Sequence, residues 1–90
     1  MSISRNIEII NKLGLHARAA AQLVQLASSF SSHIEIEKDN QRVNGKSIMG
    51  VMMLAAGKGS EITLHTNGDD EEESMTKIEE LINNRFNEDE

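Results

Sequence analysis

His16 and Arg18 stand two residues apart in the stretch LGLHARAAA, residues 13–21, where a glycine-containing loop runs into an alanine-rich segment. On a helix, side chains at that spacing point to nearly opposite sides and cannot share a ligand. They converge if His16 is the N-cap, outside the helix, with Ala17 and Arg18 as its first two positions. A group attached to the imidazole then faces the unpaired N–H groups of the first turn, those of Ala17, Arg18 and Ala19. These donors and the helix dipole stabilise negative charge and disfavour a protonated ring, which leaves the imidazole neutral and nucleophilic. The Arg18 guanidinium adds a fork able to hold phosphate oxygens. Together these are the parts of a phosphohistidine site. The triplet alone is weak evidence, because arginine in a first turn is common and a surface histidine before a helix often has no role.

A second segment, KSIMGVMMLAAGKG at 46–59, bears on the question. Ile48, Met49, Val51, Met52, Met53 and Leu54 surround a short helix on almost every side. A helix apolar all round should be buried all round. A small two-layer domain cannot do that, so part of this surface is expected to stay exposed, and exposed apolar patches with methionine suit docking. Met49 and Met52 are assigned to that surface, and Val51 and Leu54 to the core. Ser47 is placed as the helix N-cap, contributing on the order of 1 kcal/mol. A phosphate there is compatible with the helix dipole and sets negative charge beside the patch, weakening docking by an acidic partner.

The elements that must position these residues are read from periodicity. Residues 3–10 alternate Ile3, Ile7 and Ile9 as a strand, and 17–30 repeat Ala20, Leu23, Val24, Ala27 and Phe30 at helical spacing. HIEIEK and QRV form a hairpin around Asp39-Asn40, ending at Asn44-Gly45. The short apolar helix is closed by Gly57 and Gly59, and EITLHT is a further strand. A last helix carries Met75, Ile78, Leu81, Ile82 and Phe86 on one stripe, with Asp70 and Glu73 at capping-box spacing. The order βαββαβα predicts an α+β fold with an antiparallel sheet and helices on one face. Periodicity does not separate this from a ferredoxin-like fold with an added helix.

Ninety residues without cysteine make one small domain, 1–90, that no disulfide or thiolate metal site holds together. The formal charge of −6, with acids gathered in DDEEE and NEDE, opposes nonspecific nucleic-acid binding and anionic membranes. With no Trp or Tyr there is little to stack bases on. No apolar run reaches bilayer length and the N-terminal stretch lacks the order of a signal peptide, so a cytoplasmic protein is expected. His33 and His65 do not form ligand spacing with His16, and no metal is expected. Both are placed on solvent-facing strand positions, and the acids at 69–73 on the start of the last helix.

With LGLHAR at 13–18 and KSIMGVMMLAAGKG at 46–59 in this order and separation, the chain resembles the HPr family, the histidine phosphocarriers of the bacterial phosphoenolpyruvate-dependent phosphotransferase system. The resemblance spans essentially the whole sequence. It implies an open-faced β-sandwich, a four-stranded antiparallel sheet in the order 1-4-2-3 covered on one face by three helices. It implies phosphorylation of His16 on Nδ1, pairing of the phosphoryl group with Arg18, and regulatory phosphorylation of Ser47 by a dedicated serine kinase/phosphorylase. The implied docking surface comprises Ala20, Ala21, Ile48, Met49, Met52 and Met53. The implied partners are enzyme I and EIIA-type acceptor proteins, with no cofactor, no membrane insertion and a monomeric state. Such a protein is a covalent carrier, a substrate of two enzymes. One position departs from the family motif: Ala19 stands where proline is usual. Proline fits a first turn because its missing N–H has no helical partner, so Ala19 is expected to alter transfer rates or partner preference without abolishing phosphorylation. Two other readings stay open at this point. One is a mainly regulatory phosphorelay or binding module acting on kinases or transcription regulators. The other, a ferredoxin-like small-ligand or RNA binder, is disfavoured by charge and composition.

Overall fold

Strand β1 (Ser2–Glu8), helix α1 (Ala17–Ser28), strands β2 (His33–Lys38) and β3 (Gln41–Asn44), helix α2 (Ile48–Met53), strand β4 (Glu61–Asn67) and helix α3 (Glu71–Asn83) succeed one another along the chain. They are seen in a computed structural model that describes residues 2–88. Met1 and the end of the acidic NEDE stretch, Asp89 and Glu90, lie outside the described residues. The strands form one antiparallel sheet in the order β1-β4-β2-β3, as the family resemblance implies.

Alternation decides the sheet's two faces. Ile7 pairs with Ile62, and Leu64 with Ile36, all buried against the helices. Such β-branched and aliphatic cross-strand pairs each contribute about 0.2–1 kcal/mol. The opposite face carries Ser4, Asn6, Thr63, His65, Glu35 and Glu37, and no helix covers it. On the covered side Ala19, Ala20, Leu23 and Ala27 of α1, Val51 of α2, and Met75, Ile78 and Ile82 of α3 close one core.

Four local expectations need correction. Helix α1 stops at Ser28, with Ser29 as its C-cap and the Ser29 hydroxyl donating to the Leu26 carbonyl at 2.6 Å, so Phe30 packs on the core from beyond the helix. Helix α2 ends before the glycines assigned to close it, at a turn where Ala55 itself adopts φ +50°. Phe86 joins the core, but not along the helical stripe. Helix α3 ends at Asn83, and a 3₁₀ turn (Arg85–Asn87) swings Phe86 inward with positive φ at three successive non-glycine residues. That conformation costs roughly 1–2 kcal/mol per residue, and full burial of Phe86 offsets it in part, by about 1.5–3 kcal/mol.

The fourth correction concerns Asp70. It sits at the N-cap of α3 but makes no side-chain cap bond there. Its carboxylate instead accepts from the backbone N–H groups of Ser31 and Ser32, each at 2.9 Å, and from both hydroxyls. The Ser32 hydroxyl bond, then the backbone bond from Ser31, lowers the Asp70 carboxyl to about 2. The α3 start is thus latched to the α1–β2 turn, and Glu71 serves the backbone N–H of Gly68 at 3.0 Å. The acids retain their dipole role, with Glu71, Glu72 and Glu73 in the first turn.

Candidate functional site

The β1–α1 loop reaches the first turn of α1 in a fixed shape. Gly14 adopts φ +66°, and a Cβ there would lie 2.4 Å from the Ala56 carbonyl oxygen. Only glycine fits that approach. Next to it, the Leu15 N–H donates to the same carbonyl at 2.8 Å, tying the loop to the exit of α2. His16 then takes extended backbone angles, φ −73° and ψ 178°, as the N-cap of α1, with Ala17 and Arg18 as the first helical positions. The first ladder bond runs from the Ala20 N–H to the His16 carbonyl at 2.8 Å.

The imidazole is held at both nitrogens. Nδ1 accepts from the Arg18 backbone N–H at 3.3 Å, and Nε2 lies 2.6 Å from Oε2 of Glu88. An N–H donor at Nδ1 requires the lone pair there, so the ring proton sits on Nε2 and donates to Glu88. The other carboxylate oxygen of Glu88 accepts from Nδ2 of buried Asn11 at 3.1 Å, and the same amide donates to the Gly14 carbonyl at 2.8 Å. The Asn11 bond, together with the bond from His16 and the nearby Arg18 charge, outweighs desolvation and holds the Glu88 carboxyl below the usual range. Glu88 is therefore anionic at neutral pH, with its side chain 14% exposed against 27% for His16.

The structure brings His16, the Arg18 backbone and the start of α1 together as the spacing predicts. The Arg18 side chain is exposed, and its charge reaches Glu88. Ala17 is exposed, whereas the Ala19 side chain is fully buried. Because the ladder starts at Ala20, a proline at position 19 would remove no helical hydrogen bond. Sequence reasoning missed Asn11 and Glu88. Asn11 looked like part of a polar loop and Glu88 like one acid among several, and no local signal links either to His16.

The second segment divides as expected in part. Ser47 caps α2, its hydroxyl accepting from the Gly50 N–H at 3.2 Å. Val51 and Leu54 are buried, while Met49 and Met53 are 70% and 65% exposed and Ile48 and Met52 about 40%. Ala21 is exposed, but Ala20 is not: it is 0% accessible, packed in the core, and cannot form part of a docking surface. Its position one residue before Ala21 on α1 turns it about 100° away, into the core. Leu13, on the loop that carries His16, is 65% exposed and carried no signal in the sequence.

The remaining histidines lie on the uncovered sheet face. His33 is exposed, 3.3 Å from Glu35. His65 points to that face as expected, yet is largely shielded, its nitrogens 2.7 Å from the Ser4 hydroxyl and 2.9 Å from Glu37. It links β1, β4 and β2 across the sheet. Among the described residues no group of three His, Asp or Glu side chains could hold a metal, and no helix is long and apolar enough to cross a membrane.

Comparison with known proteins places the chain in a family. The family model described as the PTS HPr component phosphorylation site matches residues 3–84. The phosphocarrier protein HPr of Cupriavidus necator is 56% identical over 86 residues, covering 96% of this chain and 97% of the relative. HPr of Neisseria meningitidis serogroup B matches at the same identity and coverage. Among solved structures, HPr of Thermoanaerobacter tengcongensis superposes with a TM-score of 0.94 at 51% identity, over 98% of this chain and 99% of the other.

Proposed function

The chain belongs to the HPr family of the phosphotransferase system, and from that premise we propose that it is a cytoplasmic phosphoryl carrier that works through Nδ1 of His16. The observation that carries this reading is the N-cap geometry, in which Nδ1 presents a lone pair to the Arg18 N–H at the start of α1.

In the proposed cycle the Nδ1 lone pair attacks the phosphorus of a phosphohistidine on enzyme I. The donor's N–P bond breaks, its electron pair stays on the donor nitrogen, and an Nδ1–P bond forms on His16. The Arg18 N–H, released from Nδ1, and its neighbours in the first turn then face the phosphoryl oxygens. The Arg18 guanidinium is within side-chain reach of the same group. In the second step a histidine nitrogen of an EIIA-type acceptor attacks phosphorus, the Nδ1–P bond breaks, and its electrons return to His16. The protein splits one transfer into two and turns nothing over by itself. The exposed Ile48, Met49, Met52, Met53 and Ala21 supply the docking surface. It adjoins the site because Leu54–Ala56 lead from α2 to the contact with Gly14 and Leu15. Ser47, partly exposed beside this surface, is the regulatory position: its phosphorylation by a serine kinase would place charge where an acidic partner docks.

The test is intact mass after incubation with phosphoenolpyruvate and enzyme I, beside His16→Ala. One acid-labile phosphoryl group on the wild type, absent from the variant, is the expected result. No gain with an active cognate enzyme I would overturn the carrier reading in favour of a binding-only regulatory module.

A further inference from the structure

The 3₁₀ turn after α3 is locally unfavourable, and core packing by Phe86 does not account for the path of the two residues beyond it. Past Phe86 the chain continues to Asn87, whose amide meets Gln22 of α1 at 3.4 Å, and to Glu88, which closes over the imidazole. Glu88 is not simply a charge near a histidine. One oxygen takes the Nε2 hydrogen at 2.6 Å and the other is pinned at 3.1 Å by a side chain that is itself fully buried. The carboxylate plane is therefore fixed on the side of the ring opposite the nitrogen that faces α1.

We propose that Glu88 is a positioning residue that holds the Nε2 proton of His16, before and during phosphorylation. Its hold on the proton belongs to the unmodified protein, while its consequence for transfer rests on the carrier reading above. That consequence is a matter of electron counting. With the proton already on Nε2, the ring is neutral before attack, and formation of the Nδ1–P bond leaves it cationic. When that bond breaks, the electron pair returns to Nδ1 and the ring is neutral again, so no proton has to move in either direction. Only the phosphorylated ring carries positive charge, and the Glu88 carboxylate neutralises it at Nε2. Keeping that proton in place makes the departing group a neutral imidazole instead of an anionic imidazolide. Glu88 lies away from Nδ1 and so leaves the line of attack open to both partner proteins.

Two measurements decide it. The first is the tautomer of the His16 ring in the unphosphorylated protein, read from two-bond 15N–1H correlations in the neutral-ring range. The wild type is expected to show Nε2–H, and Glu88→Ala to lower the ratio of Nε2–H to Nδ1–H on the order of tenfold, the effect of one charge-assisted bond at a partly exposed site. A wild type protonated on Nδ1, or a ratio untouched by Glu88→Ala, overturns the proposal. The second measurement uses protein phosphorylated by phosphoramidate, a small N–P donor, so that enzyme I is not needed. Hydrolysis of the phosphoryl group is monitored against pH in wild type and Glu88→Gln. The curve for the variant is expected to move about one unit to lower pH, equivalent to tenfold in the protonated ring. Superimposed curves overturn the charge role. If phosphoramidate fails to label His16 at all, the carrier reading falls, while the tautomer ratio still decides what Glu88 does. Substitution at 88 lies beyond Phe86, the last buried residue among those described, and leaves the core intact.

Discussion

At the scale of single residues, His16 is defined by what each ring nitrogen meets. The backbone of Arg18 meets Nδ1 and the tail meets Nε2, so two distant parts of the chain share the orientation of one side chain. The start of α1 and Glu88 act on opposite edges of the ring, the first at Nδ1 and the second at Nε2. Arg18 contributes in two separable ways. Arg18→Ala retains the N–H that Nδ1 accepts and removes the guanidinium. The variant is expected to keep the His16 tautomer and to change stability by less than about 0.5 kcal/mol. Its rate of phosphoryl acceptance from enzyme I should fall on the order of 10- to 100-fold. Rapid-quench transfer assays with a denaturation curve check both halves, and an unchanged rate would remove the guanidinium from the mechanism.

At the scale of elements, two junctions hold the two ends of α1. The first is the contact of Gly14 with Ala56, which sets how the β1–α1 loop enters the helix. The second is the Asp70 latch, which ties the start of α3 to the turn after α1. Because the folded carboxyl is lowered to about 2, its contribution is complete above the ordinary carboxyl range and is lost as pH falls through about 2. Asp70→Asn should therefore lower the urea midpoint at pH 7, and the gap to wild type should close in the acid range. Urea titrations at steps from neutral pH down to the folded pKa of about 2 check this. A gap that persists at the acid end would show that the loss comes from packing and not from charge.

On the scale of the whole molecule, a chain of net charge −6 presents a methionine-bearing surface on α2, whose exit meets the loop that carries His16. Since Met49 is 70% exposed, Met49→Glu should leave stability within about 0.5 kcal/mol of wild type. Affinity for enzyme I should drop on the order of tenfold, as for a buried interface anchor. Calorimetric titration against enzyme I checks the prediction, and equal affinities would move the docking surface off α2.

The reach of local patterns explains which parts of this molecule were legible in the residue string. Alternation over two residues and repetition over three or four report which face of an element is apolar, and these gave the βαββαβα order, the N-cap at His16 and the split of Val51 from Met49. The 1-4-2-3 strand order came from family resemblance, because periodicity admits a ferredoxin-like alternative. Contacts made across long separations leave no such trace. Glu88 meets His16 across 72 residues and Asp70 meets Ser31 across 39, and an acid that will be pinned reads the same as one that will be solvated. Ala20 falls on the apolar stripe of α1 and Ala21 off it, so periodicity already separated the two, and it was the family resemblance that grouped both in one docking surface. The left-handed turn that buries Phe86 sets local backbone preference against core burial, and burial prevails only once a core exists to receive the ring. The sequence by itself thus determined the His16 N-cap, the arginine two residues on and the elements that carry them. The tertiary structure alone decided which carboxylate meets Nε2 of His16, because that choice belongs to chain closure and not to any local run of residues.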